Sequence, residues 1–197
     1  NDPDLDVMSS PNQCIECPEG TFCPVGSDKA KNCSAGTYND MAKQPTCQPC
    51  QAGTYQHETG STACSPCTQG HFCEQGAAAP LPCEQGTYSS ATNLKSAGEC
   101  TNATAGHYAT TGSTEQTPCS PGTVAPVTAM GACDKCAAGT FQRDEGQTAC
   151  APCTPGSFCP AGASAPMPCE EGTYSNAMNL TSADECTHTA PGFYAPT

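Results

Sequence analysis

Large apolar side chains are sparse along this chain and evenly placed. A tripeptide of glycine, any residue and an aromatic begins at Gly20, Gly36, Gly53, Gly70, Gly86, Gly106, Gly122, Gly139, Gly156, Gly172 and Gly192. Its third place holds Phe22, Tyr38, Tyr55, Phe72, Tyr88, Tyr108, Phe141, Phe158, Tyr174 and Tyr194, which are ten of the 11 aromatic residues. Val124 is the single substitute, and Phe193 sits beside the last member. Polar stretches rich in Gly, Pro, Ser and Thr separate the tripeptides. One aromatic every 16 to 20 residues cannot build a central core, but it gives each unit a small packing site. The preceding glycine suits a tight turn at positive φ or a close approach of neighbouring backbone. A Thr-aromatic pair favours a short extended strand, and helix is disfavoured where Gly and Pro are this frequent. Each unit therefore reads as a turn, a two- or three-residue strand, a polar loop and a cysteine.

The units belong to a longer repeat. Gaps of 16, 17, 17, 16 and 20 residues run from one turn glycine to the next and then recur, giving a period of 86. By that shift Cys33, Cys47, Cys50, Cys64, Cys67, Cys73, Cys83 and Cys100 reappear as Cys119, Cys133, Cys136, Cys150, Cys153, Cys159, Cys169 and Cys186. The organisation expected is the tail of an upstream unit over 1–14, one five-unit repeat over 15–100, a second over 101–186, and the start of another over 187–197. Self-similarity at this scale is the mark of a quasi-one-dimensional array.

Composition sets the way such an array is held. Gly, Pro and Cys occur 19 times each, and Trp is absent. So few large apolar groups cannot offset the conformational entropy of folding by burial. This density of cysteine indicates a disulfide scaffold from an oxidising, extracellular or cell-surface compartment. The formal charge of −13, with 19 acidic and 6 basic residues and no basic stripe, excludes a nucleic-acid partner. No acidic loop of the calcium-binding kind is present. No apolar run is long enough to span a bilayer. The chain carries neither an initiating Met nor a leader, and it reads as a mature product or a piece of one.

The repeat gives a clue to the cysteine pairing. Cys17 and Cys23 align with Ala103 and Ala109, and two cysteines lost together were partners. Cys67–Cys73 and Cys153–Cys159 follow by equivalence. The remainder pairs in order as Cys33–Cys47, Cys50–Cys64, Cys83–Cys100, Cys119–Cys133, Cys136–Cys150 and Cys169–Cys186. Cys14 is left to a partner outside the chain, in an upstream repeat. A rival arrangement crosses the bridges, first to third and second to fourth, within each C-x2-C-x5-C-x9-C block, and would link Cys17 to Cys33. Spacing alone does not choose between them.

Candidate chemistry is thin. C-x-x-C begins at Cys14, Cys47, Cys64, Cys133 and Cys150, but a redox pair needs a thiol activated at a helix N-terminus, and no helix signal follows any copy. Four-cysteine zinc sites need reduced thiolates. His57, His71, His107 and His188 are isolated and read as exposed loop residues. No catalytic arrangement, cofactor site or metal site is expected. Three sequons occur, at Asn32-Cys33-Ser34, Asn102-Ala103-Thr104 and Asn179-Leu180-Thr181, so covalent glycans on Asn32, Asn102 and Asn179 are expected.

The runs CQPCQAGTY and CDKCAAGTF resemble the ephrin-receptor-like, or GCC-type, cysteine-rich repeat, distantly akin to EGF-like and tumour-necrosis-factor-receptor modules. The resemblance extends over roughly residues 14 to 194. It implies small, disulfide-rich, mostly irregular units with short β-hairpins, stacked as an elongated solenoid-like rod in extracellular parts of large proteins. The function expected is structural: a glycosylated, disulfide-stapled rod or filament of a cell surface or appendage. It would associate with itself or with neighbouring repeats of the same long chain. The alternative is the ligand-binding or adhesive stalk of a receptor or adhesin.

Overall fold

The computed structural model describes residues 16–193. Cys14 and Tyr194 lie outside the described residues. The chain divides into two compact bodies, Asn1–Leu81 with Thr92–Glu99, and Pro82–Ala91 with Cys100–Thr197.

Among the described residues two-residue strands dominate, and they pair in order along the chain into ten two-stranded sheets. The first body holds Thr21–Phe22 against Lys31–Asn32, Thr37–Tyr38 against Gln48–Pro49, and Thr54–Tyr55 against Ser65–Pro66, all antiparallel. His71–Phe72 then pairs with Leu81–Pro82. The second body continues the series antiparallel. It pairs Thr87–Tyr88 with Thr101–Asn102, His107–Tyr108 with Thr117–Pro118, and Thr123–Val124 with Asp134–Lys135. Thr140–Phe141 with Ala151–Pro152, Ser157–Phe158 with Met167–Pro168, and Thr173–Tyr174 with Thr187–His188 complete it. Helix among the described residues is confined to single 3-10 turns at Ala97–Glu99 and Ala183–Glu185. The fold is small, disulfide-rich and built of tandem hairpin units.

The glycine of each tripeptide explains why its strand begins where it does. In Ser34-Ala35-Gly36-Thr37, Gly36 takes φ +83°, the value that the third residue of a type II turn requires. Thr37 closes this turn twice, donating its amide at 3.0 Å and its Oγ1 at 2.7 Å to the carbonyl oxygen of Ser34. Thr54, Thr87, Thr123, Thr140 and Thr173 repeat this double bond. The first strand is thus launched by a turn rather than selected by a long β pattern. Many second strands end in proline, which has no amide to donate and is tolerated on an edge.

Burial is inverted relative to an ordinary domain. Cys33, Cys50, Cys67, Cys73, Cys83, Cys119, Cys153 and Cys159 have no exposed surface. Of the tripeptide third-place residues that are described, only Phe72 and Val124 are buried, and Tyr174 is 45% exposed. Cysteines are the main buried residues, while most of the tripeptide aromatics are only half-buried. Phe141, for example, packs against Cys153, Cys159 and Ala163.

Candidate functional site

The chemistry-bearing residues of this chain are its cysteines, and the hairpins decide where each points. In the structure Cys33 is bonded to Cys47, Cys50 to Cys64, Cys119 to Cys133 and Cys136 to Cys150, each with a sequence separation of 14. Cys83–Cys100 and Cys169–Cys186 close separations of 17. Cys17–Cys23, Cys67–Cys73 and Cys153–Cys159 close separations of 6. All nine have Cα–Cα distances between 5.6 and 6.0 Å, within the range natural bridges occupy.

The C-x-x-C motifs now have a structural meaning. The two residues between Cys47 and Cys50 are the strand Gln48–Pro49. Ser65–Pro66, Asp134–Lys135 and Ala151–Pro152 fill the same place in three other copies. Each motif therefore brackets an extended dipeptide, and its two sulfurs go to successive bridges. A vicinal redox pair needs both sulfurs in one bridge, at the start of a helix; here neither condition is met. The copy at Cys14 begins outside the described residues.

A backbone hydrogen-bond frame runs alongside the sulfurs. The turn glycine donates to the residue that follows the aromatic of the next unit, as Gly36 does to Gln56 at 2.7 Å and Gly122 does to Gln142 at 2.7 Å. That following residue donates onward in turn: Gln56 to Ala77 at 3.1 Å and Gln142 to Ala163 at 3.1 Å. In the loops after Tyr38 a second left-handed residue then reaches back. Gly60 donates to Cys33, Gly76 to Cys50 and Asn93 to Cys67, and in the second body Ala129 donates to Ala103 and Asn179 to Cys153, at 2.8 to 3.0 Å.

That second left-handed position left no signal strong enough to read from the sequence. It is occupied by glycine in several loops and by Lys43, Asn93, Ala129 and Asn179 in others, with φ between 60° and 63°. Its carbonyl lies against the turn glycine two units earlier. A Cβ on Gly53 would meet the Asn93 carbonyl oxygen at 2.6 Å, and one on Gly139 would meet that of Asn179 at 2.6 Å. The same overlap, closer still, joins Gly20 with Gly60, Gly36 with Gly76 and Gly122 with Gly162. Positive φ and close approach fall on the same residues.

The residue after each aromatic is another position that the sequence did not mark. Where it is cysteine, as at Cys73 and Cys159, a bridge pins the loop. Where it is Gln56, Nε2 donates to the Ala63 carbonyl at 2.7 Å and Oε1 accepts from the Glu58 amide at 2.9 Å. Gln142 repeats this with Ala149 and Asp144. Asn39, with no exposed surface, donates Nδ2 to the carbonyls of Thr21 and Thr46 at 2.9 and 3.1 Å. A covalent staple and a side-chain amide thus do the same work. Ala109, where the bridge is missing, keeps its backbone bond to Met130 at 3.0 Å.

The histidines correct one expectation. His71 and His107 are half-buried strand residues that replace the turn threonine, and His188 is also in a strand. Only His57 is an exposed loop residue, 3.8 Å from Glu58. Register rather than residue type places them. Hydrogen bonds from the Thr181 hydroxyl and amide hold the exposed carboxyl of Glu185 below its ordinary pKa. Among the described residues no His, Cys, Asp or Glu cluster is placed to hold a metal ion, and no helix is long and apolar enough to cross a membrane.

Asn32, Asn102 and Asn179 are all exposed. Asn32 and Asn102 end second strands, paired with Thr21 and Thr87, and Asn179 is the left-handed residue of its loop.

Among the described residues, short hairpins, nine bridges and almost no helix define an extracellular type of cysteine-rich repeat protein. Residues 36–80 and 122–165 match the family described as tyrosine-protein kinase ephrin type A/B receptor-like. The chain is a cysteine-rich repeat protein with two ephrin-receptor-like segments, which begin at the turn glycines Gly36 and Gly122. That family is a cysteine-rich receptor-like module and not an enzyme family. No curated protein matches the chain.

Proposed function

We propose that this chain is an extracellular structural protein, a glycosylated, disulfide-stapled repeat that forms a rod or filament of a cell surface or appendage and has no catalytic role. The observation that carries this reading is the limited reach of the hydrogen bonds between units. Within each compact body they join residues 19 to 29 apart, so a unit is tied to the next and the next but one. Bonding of that reach adds units along a single direction. Separate small bridges make each addition stable without a shared core, since closing a loop of about 15 residues stabilises by about 3 kcal/mol in the chain-entropy model. Self-association, or continuation into neighbouring repeats of one long chain, follows from faces that recur every 86 residues.

Electron microscopy of the purified, oxidised chain and of its native source material tests the proposal. Narrow particles that assemble into fibrils with a regular axial repeat are expected. Rods that stay isolated and capture a ligand would favour the adhesive or receptor stalk instead. Compact globular particles would defeat both.

A further inference from the structure

The three sequons are chemically alike, but the structure accounts for their asparagines differently. Asn179 stands at the second left-handed position of its loop, φ +63°, with its amide on the Cys153 carbonyl at 3.0 Å. Asn93 has the same φ and the same bond, to Cys67 at 2.9 Å, yet Asn93-Leu94-Lys95 is no sequon. Asparagine tolerates the left-handed region better than any residue except glycine, and glycine fills this place at Gly60, Gly76 and Gly162. The left-handed backbone calls for a residue that tolerates it, and asparagine meets that at position 179 whether or not a sugar is attached, as Lys43 and Ala129 do in other loops. The hydroxyls of both sequon threonines have partners, Thr181 in Glu185 and Thr104 in Gln116, so they do not separate the two sites.

Asn102 answers no such demand. It ends the exposed strand Thr101–Asn102 with ordinary extended geometry, in the place where Pro49, Pro66, Pro118 and Pro152 stand in other hairpins. Its central sequon residue is Ala103, buried and free of any bridge. At Asn32 the corresponding central residue is Cys33, bonded to Cys47. The Asn102 hairpin is closed by Cys83–Cys100, and because the residue after Asn102 is Ala103 its sequon is open to modification without competing with bridge formation.

We infer that Asn102 is the site of N-linked glycan attachment in this chain and that Asn179 is a conformational asparagine that stays unmodified. Attachment forms a bond from Asn102 Nδ2 to the anomeric carbon of the first sugar. It breaks that carbon's bond to the diphosphate of a lipid-linked oligosaccharide donor and releases the lipid diphosphate with the amide proton. A sugar on Asn102 would stand directly before Ala103, where the unit that lacks its short bridge begins. Asn32 ranks below Asn102, because Cys33 is drawn into its bridge. The inference rests on the reading of the chain as extracellular.

The test is secretion of the full chain from a eukaryotic host behind a leader, enzymatic removal of N-glycans in 18O-water, and peptide mass mapping. An 18O-labelled Asp at position 102, more complete than at 32, with Asn179 unlabelled, is expected. Asn102→Gln and Thr104→Ala should each abolish one step of gel mobility, and Asn179→Gly should abolish none while leaving secretion unchanged. Label at position 179, or secreted and fully bridged chain unlabelled at 102, overturns the inference while the disulfide-stapled extracellular reading survives. Chain that leaves the host with most thiols free overturns the extracellular reading itself.

Discussion

The carbonyl oxygen of Gly76 occupies the space that a side chain on Gly36 would need. The two residues are equally left-handed, with φ +83° and +76°, but they are not equally replaceable. Around Gly76 a Cβ would find only the Pro49 Cβ at 3.8 Å, an ordinary contact.

Gly76→Ala should therefore cost only the left-handed strain, about 1–2 kcal/mol, as the native Ala129 already bears at φ 60°. Gly36→Ala adds a backbone overlap to that strain and should lose about 3 kcal/mol or more. Denaturant unfolding of the oxidised variants measures both. Equal losses would show that the backbone contact between these units is not what the glycine is there for.

A missing staple can be restored. Ala103 and Ala109 are buried and hold the backbone bonds that Cys67 and Cys73 hold elsewhere: Ala103 to Gly86 at 2.9 Å and Ala109 to Met130 at 3.0 Å, beside Cys67 to Gly53 at 2.9 Å and Cys73 to Leu94 at 2.9 Å. The double variant Ala103→Cys/Ala109→Cys should close a tenth bridge and stabilise the chain by about 2 kcal/mol, the value for so short a loop. Intact mass after alkylation without reduction reads the closure, and unfolding reads the gain. Two alkylated cysteines would mean that this hairpin has departed from the others.

How much could be read in advance follows from the range of each interaction. The turn glycine and the two-residue strand after it were legible because both are local: Gly36 and Thr37 carry their own turn. The disulfide-rich character and the short hairpins were legible for the same reason. The return of the loop was not. Lys43, Asn93, Ala129 and Asn179 share one backbone conformation without sharing a chemistry, and the partner that selects it lies two units away. Ser65–Pro66 likewise gives no strand signal, because proline argues against one; the bridges on either side hold it extended. Gln56 and Cys73 look unrelated until both are seen to pin the loop after an aromatic.

Acid should loosen the last 3-10 turn. Glu185 accepts hydrogen bonds from the Thr181 hydroxyl and amide, which lower its pKa from the ordinary 4.5. The contact is fully present above that value and is lost as pH falls through the lower, folded-state value. Because the carboxyl is exposed, the effect is local and should leave the bridges and hairpins untouched. A carboxyl NMR titration should show Glu185 titrating below the ordinary range, and Thr181→Ala should move it upward. A Glu185 titration unchanged by Thr181→Ala would remove the hydroxyl as the cause.

The decisive measurement concerns which cysteines share a bridge. Lys29, Lys31 and Lys135 fall between successive bridges, whereas Lys43 falls inside Cys33–Cys47 and Lys95 inside Cys83–Cys100. Cleavage at lysine in denaturant without reductant, after alkylation of free thiols, should then liberate residues 1–29 and residues 136–197. Residues 32–135 should stay joined as one three-piece fragment. In the crossed arrangement a Cys17–Cys33 bridge would tether 1–29 to the middle. The mass of the first fragment decides the matter, because Cys17 and Cys23 both lie within it and the loop they close crosses no lysine.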